Sequence, residues 1–230
     1  MWRQVRVTVA VTYVFPEDSA EAVVQRLLER MQQLGLRPRV LYMDKGFCTS
    51  AVIDYLQRLP IPALIACPIR GKKGGIRQLC HGKKAYLTEY VFTSGTCVRL
   101  ALLPTRVPDK TGKRRLKWIA YVVIHLDWSP TQCYQRYRRR FGIESSYRQL
   151  GQVRARPTSG NPALRFLWLG LGFLLLNCWV FLRFCTTRVL QRGPARWFPR
   201  LFQLPRFIAF LRRAIERAFG TRDEIPIYAF

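Results

Sequence analysis

The sequence predicts an α/β fold on three observations. Apolar strands alternate with amphipathic helices over residues 5–67, a β-rich run fills residues 86–124, and helix-compatible sequence takes over from residue 128. The alternation implies a parallel sheet flanked by helices. The β-rich run implies an antiparallel insertion, and the last stretch implies helices that close the domain.

Residues 5–14 read V-R-V-T-V-A-V-T-Y-V, an alternation of β-branched and polar positions that predicts a strand. Pro16-Glu17-Asp18-Ser19 is a turn, and Asp18 or Ser19 suits the cap of the next helix. That helix covers residues 20–34, with Val23, Val24, Leu27, Leu28 and Met31 on its apolar side and Gly35 ending it. A short apolar strand at 39–43 runs directly into Asp44-Lys45-Gly46-Phe47. Thr49 or Ser50 caps a second helix to about Leu59, and residues 63–67 form a buried strand. Functional groups of open α/β sheets collect beyond the carboxyl ends of strands, and Asp44 stands in that place.

Residues 70–84 are basic and rich in glycine. They read first as a solvated loop, with Lys72 and Lys73 as its candidates for a phosphate contact. No Walker loop is present, because Gly112-Lys113 is followed by Arg and not by Ser or Thr. Strands are predicted at 86–92, 96–103 and 116–124, with a turn at 108–112 between the last two. Ser129 as cap and Pro130 in first position start a long helix. Gly142 interrupts that helix and Gly151 marks a bend. Residues 166–182 are an uncharged run containing Asn177 and bounded by Arg165 and Arg183. The run falls just short of the ~20 residues of a membrane span and has no asymmetry of flanking charge to orient it. A fully buried helix is therefore expected, with a membrane-associated protein as the alternative. Residues 197–219 include a basic amphipathic helix. Four regions follow from this pass: a first part of the α/β core at 1–69, the β-rich insertion at 70–127, the closing helices at 128–190 and a basic tail at 191–230.

Lys and Arg number 39 against 13 Asp and Glu, a net charge of +26. Such a chain repels itself unless a polyanion is near, so nucleic acid is the first candidate partner and an anionic membrane surface the second. The seven cysteines are scattered and odd in number, which argues against a disulfide framework and for a reducing, cytoplasmic setting. Cys80-His81 has no second pair at zinc spacing. Met1 leads into an alternating segment without the apolar core of a secretory signal.

With so few acids, those set among arginines carry the chemical information. Residues 134–156 hold one carboxylate, Glu144. Tyr137, Arg140, Glu144 and Arg148 are spaced three, four and four apart, which on one helix places them on one face. Taken alone, Glu144 reads as an ion-pair partner of Arg140 or Arg148, and Asp44 as a turn residue. Taken together, they suit a site in which two or three carboxylates hold divalent cations for phosphoryl transfer.

Two motifs carry a resemblance. Leu41-Tyr42-Met43-Asp44-Lys45-Gly46-Phe47 resembles the second-aspartate motif of DDE transposases of the insertion-sequence-four type, usually Asp-Arg-Gly-Phe or Asp-Arg-Gly-Tyr. Tyr137, Arg140 and Glu144 match the Tyr-Arg-Glu-Lys signature around that family's last acid, and the likeness extends over nearly the whole chain. It implies an RNase H-like mixed sheet flanked by helices, with a β-rich insertion before the last catalytic helix. It also implies Mg2+ or Mn2+ as cofactor, and DNA as partner. By position, Asp44 is the second metal-binding aspartate and Glu144 the third acid, with Tyr137 and Arg140 contacting DNA phosphate or orienting Glu144. A homo-oligomer, or association with an intact transposase, is the expected protein partnership.

Two departures are visible. The Lys position of the signature falls on Gly151, with Arg148 and Arg154 the nearest substitutes. The family's first aspartate belongs on a strand ahead of the segment matching residues 5–14, where these residues offer no acid; Asp18 comes after it. The chain thus resembles a transposase lacking its first catalytic strand, expected to be inactive alone and to leave one side of the strand at 5–14 unpaired.

Overall fold

A computed structural model describes residues 6–71, 73–108, 112–155, 157–189, 196–197, 200 and 202–220. The chain divides into two compact units, Ala10–Phe141 and a second made of Met1–Val9 with Gly142–Phe230.

Five strands organise the first unit: β1 (Leu41–Met43), β2 (Ala63–Cys67), β3 (Tyr86–Val91), β4 (Cys97–Pro108) and β5 (Arg114–Ile124). They form one mixed sheet in the order β1-β2-β5-β4-β3. β1 and β2 are parallel, and every other pairing is antiparallel. The parallel pair is joined by α2 (Ser50–Arg58), and α1 (Ala20–Gln33) precedes β1. Ser19 caps α1 and Thr49 caps α2, each accepting the free N–H of the first turn.

The period of two along the strands sorts the core into two layers. Ala63, Ile65, Cys67, Leu100, Leu102, Ala120, Val122 and Ile124 meet Val24 of α1 and Val52, Ile53 and Leu56 of α2. Leu64, Ala101, Tyr121 and Val123 face the other way, onto Cys133 and Tyr137 of α3 (Pro130–Tyr137). β2 is covered on both faces, and Leu64 and Ile65 are wholly buried. Each such side chain contributes about 1.5–3 kcal/mol.

The β-rich run is built into this sheet through β5, which lies between β2 and β4. β4 and β5 also outrun their neighbours. β3 pairs with β4 only as far as Leu102, and β2 pairs with β5 only back to Ala120. Beyond these limits residues 103–108 and 114–119 continue as a two-stranded ribbon. The glycine-rich stretch at 70–84 is more than a solvated loop. It holds a 3-10 turn at Gly75–Leu79, and the buried Ile76 anchors that turn to the core. Gly74 and Gly75 supply the positive φ values, 85° and 55°, that the entry into this turn requires.

The strand expected at 5–14 does not form over its described residues, which carry no regular secondary structure and belong to no sheet. Alternation supplies an apolar face, yet a strand also needs a neighbouring backbone. Val7, Val9, Val11 and Val14 are exposed instead. In the second unit one side chain stands in for the missing neighbour. The Thr8 N–H donates to Asn177 Oδ1 at 2.9 Å, and Asn177 Nδ2 donates to the Thr8 carbonyl at 2.7 Å.

The remainder of the second unit is helical: α4 (Gly142–Val153), α5 (Pro162–Thr187) and α6 (Leu204–Phe219), with a two-residue pairing of β6 (Arg188–Val189) and β7 (Arg196–Trp197). Leu150 of α4, Phe173, Leu176 and Trp179 of α5, and Leu204 and Phe207 of α6 form its core. α4 and α5 approach closely at Gly172, where a Cβ would lie 2.8 Å from Leu150 Cδ1 and 3.6 Å from Arg154 Cα. The expectation of a fully buried helix at 166–182 is not met. Leu167, Leu171, Leu174 and Phe181 are exposed, because apolar residues surround α5 while its core partners cover one side. Among the described residues, Pro162–Thr186 is the one helix long and apolar enough to cross a membrane, and 22% of its most apolar window is buried.

Candidate catalytic site

Asp44 closes β1. Its backbone is extended, with φ −74° and ψ 165°, and its side chain caps a 3-10 turn at Lys45–Phe47 by accepting the Lys45 N–H at 2.8 Å. The other carboxylate oxygen faces Arg140 Nη2 at 3.0 Å. The Asp44 side chain is 49% exposed, so this ion pair sits at the surface. Such pairs are worth about 0–1 kcal/mol and open readily to a competing cation or phosphate.

Arg140 is brought there by α3. Ser129 and Gln132 form a reciprocal capping box and Pro130 occupies the first turn, which fixes where the helix starts. Cys133 and Tyr137, one turn apart, then face the sheet and are buried. The Tyr137 ring lies 4.9 Å from Tyr121 and 6.5 Å from Tyr42. Its hydroxyl donates to the Met43 carbonyl at 3.1 Å. Met43 is the residue before Asp44, so this bond fastens the end of α3 to the end of β1. The 3-10 turn at Arg138–Phe141 follows, and Arg140 lies 5.7 Å over the Tyr137 ring on its way to Asp44. Burial raises the Tyr137 pKa; the Arg140 charge opposes that rise and the Asp44 charge adds to it. The phenol therefore keeps its proton and acts as a donor.

Three of the residues singled out from sequence, Asp44, Tyr137 and Arg140, thus meet at one place. Tyr137, Arg140, Glu144 and Arg148 do not lie on the one continuous α-helix that was expected. α3 ends at Tyr137, a 3-10 turn with about three residues per turn resets the phase, and α4 begins at Gly142. Tyr137 and Arg140 belong to the first unit, Glu144 and Arg148 to the second. Glu144 lies in the first turn of α4, and its side chain is outside the described residues. Arg148 and Arg154 are exposed, as is Lys73, whereas Lys72 lies outside the described residues. Asp18 serves its own turn and nothing further: it accepts the Phe15 N–H at 2.7 Å and pairs with Arg26 at 2.5 Å.

Sequence reasoning missed the aromatic support beneath Asp44. Trp128 stacks on Tyr42 at 6.4 Å, and Arg136 covers Trp128 at 4.3 Å. The signal was present in the alternation around Asp44, which turns Tyr42 to the α3 side of the sheet.

A half-exposed carboxylate at a strand end suits one ligand of a hard cation. One ligand does not make a site, and among the described residues no group of three potential ligands exists. The arrangement by itself is an acid held by an arginine countercharge at the carboxyl edge of a sheet.

A family model described as a transposase DDE domain matches residues 7–178. A search of curated proteins finds no match.

Proposed function

Because the chain belongs to the transposase DDE domain family, we propose that it derives from an enzyme of the insertion-sequence-four type that cuts and joins DNA strands at the ends of mobile elements. Domains of this family generally depend on a divalent metal ion. In this reading Asp44 and Glu144 would each serve as a metal-binding acid, and a bound Mg2+ or Mn2+ would supply Lewis-acid stabilisation of charge for phosphoryl transfer. The observation that carries the reading is the Asp44 corner: an acid at a strand end, inside the family match, presented by an aromatic scaffold and opposed by an arginine.

The chain's own residues then divide the work. Tyr137 positions Asp44 through the Met43 carbonyl. Arg140 neutralises Asp44 in the absence of substrate and turns to a phosphate when one arrives, since its planar donors suit either anion. Arg148, Arg154, Lys72 and Lys73 supply further phosphate contacts. The partner is DNA, with self-association or an intact transposase as the protein partnership.

In this reading no acid among residues 1–43 is matched to the family's first aspartate. The 230-residue chain alone is therefore expected to bind DNA but not to cleave it. The check is incubation of the purified chain with Mg2+ or Mn2+ and DNA carrying the element's terminal repeats. Cleavage that vanishes in Asp44→Asn would overturn the expected inactivity and establish a working acid set. Absence of DNA binding at low salt would overturn the whole reading.

A second reading, a basic DNA-binding protein without catalysis, is favoured by the ribbon of β4 and β5. Arg106, Arg114, Arg115 and Lys117 are exposed on it, with Lys113 at its end. A two-stranded ribbon fits the major groove of DNA. Mn2+ binding by the purified chain separates the two: on the first reading it is expected and weakens when Asp44 and Glu144 are replaced by alanine, and on the second it is absent from the start.

A further inference from the structure

The turn that follows Asp44 ends on a cysteine whose sulfur has a partner. Cys48 terminates the 3-10 turn at Lys45–Phe47, and its N–H donates to the Lys45 carbonyl at 3.2 Å. Cys67 is the last residue of β2 and is buried, with Ala120 of β5 opposite. The two sulfurs, 19 positions apart in sequence, are hydrogen-bonded at 3.4 Å. The turn packs directly on β2, so the contact follows from the parallel pairing of β1 and β2.

We propose that Cys48 and Cys67 form a redox-active dithiol that closes to an intramolecular disulfide by exchange with a low-molecular-weight disulfide. The roles divide by access. Cys48 is partly exposed and attacks, whereas Cys67 is buried and resolves. The Cys48 thiolate displaces one thiol from the small disulfide and forms a mixed disulfide. Cys67 gives up its proton and displaces the second thiol, so two protein thiols are oxidised and one small disulfide is reduced to two thiols. Closure needs the sulfurs to move from 3.4 Å to the ~2.05 Å of a bond, a shift that a side-chain rotation and a small adjustment of the turn supply.

The electrostatics favour the same division. The proton held by Cys67 stabilises a thiolate on Cys48, burial opposes this, and Arg70 adds a further attraction, so the Cys48 pKa is lowered. Cys67 is pushed up, first by its bond to Cys48 and then by burial. Of the remaining cysteines, Cys80 is half-buried with its sulfur on the Ile76 carbonyl, and Cys133 is buried beside the Trp128 carbonyl. Cys97, Cys178 and Cys185 are exposed. A closed Cys48–Cys67 bond would tie the Asp44 turn to the end of β2, with no dependence on what Asp44 does.

The test uses the full 230-residue chain, fully reduced and then equilibrated with mixtures of reduced and oxidised glutathione. Acid quenching, alkylation and non-reducing peptide mapping then read every cysteine. The expected result is a Cys48–Cys67 linked peptide as the dominant intramolecular bond, with Cys97, Cys178 and Cys185 free or carrying glutathione. In Cys67→Ser, Cys48 is expected to stop at the glutathione adduct, raising that adduct at least tenfold over wild type. Cys67→Ala serves equally if a buried hydroxyl impairs folding. The proposal falls if Cys48 in the wild type accumulates as a stable adduct, if both sulfurs stay free when the exposed cysteines are oxidised, or if either pairs preferentially with another cysteine.

Discussion

Removing one oxygen from Tyr137 tests how Asp44 is held. Tyr137→Phe keeps the buried ring and deletes only the bond to the Met43 carbonyl. A loss of about 1 kcal/mol in urea unfolding is expected, the usual net worth of such a bond. Substitution by alanine would add a cavity among Tyr42, Tyr121 and Cys133 and cost about 3–5 kcal/mol. Asp18 offers a pH test of a different kind. Its hydrogen bond with Arg26, then that from the Phe15 N–H, hold its pKa below the ordinary carboxylate value. The stability this brings is present above that ordinary value and is lost as the pH falls through the lowered one. Wild-type protein should therefore lose its advantage over Asp18→Asn as the pH falls below the ordinary carboxylate value of about 4, read from urea midpoints. At this scale the position of Asp44 was legible for a plain reason. Asp44 follows a short apolar strand and precedes a turn, and a strand end is where a polar side chain escapes the core. The partnership with Arg140 was not legible, because it depends on where a 3-10 turn places a side chain 96 positions away.

Helix packing makes the next set of expectations. Gly172 lets α4 and α5 approach, and the atom a methyl would first meet is the flexible end of Leu150. Gly172→Ala should therefore be tolerated, its strain partly offset by better helix propensity. Gly172→Leu must displace the backbone at Arg154 as well and should cost about 1–3 kcal/mol, measured by thermal or urea unfolding. The β4–β5 ribbon gives a binding test. Replacing Arg106, Arg114 and Lys117 with alanine should weaken DNA affinity on every sequence alike. The slope of log K against log salt should also fall, by about one for each phosphate no longer neutralised. Helices α1, α2 and α3 were legible because their apolar spacing and their caps, Ser19, Thr49 and Ser129, agree with one another. The strand at 5–14 was misread because periodicity reports which face is apolar and says nothing of a hydrogen-bonding neighbour. The burial of α5 was misread for a related reason: a helix apolar all round declares its composition, not its cover.

Taken whole, a charge of +26 on 230 residues sets the conditions under which this protein behaves as a binder. Its association with DNA should be tight at low salt and collapse steeply as salt rises, and an uncharged competitor should do little. The split at Phe141 and Gly142 falls inside the single region read at 128–190, where Gly142 was expected only to interrupt a helix. Less visible was that the second unit draws on both the start and the far end of the chain. Asn177 grips Thr8 by its amide and its carbonyl at once, across 169 positions. On a ribosome that clasp cannot close until Asn177 has emerged. The opening valines must stay loose while the sheet assembles, waiting for a helix not yet synthesised. Locking of that segment therefore comes after every residue of the sheet has been made.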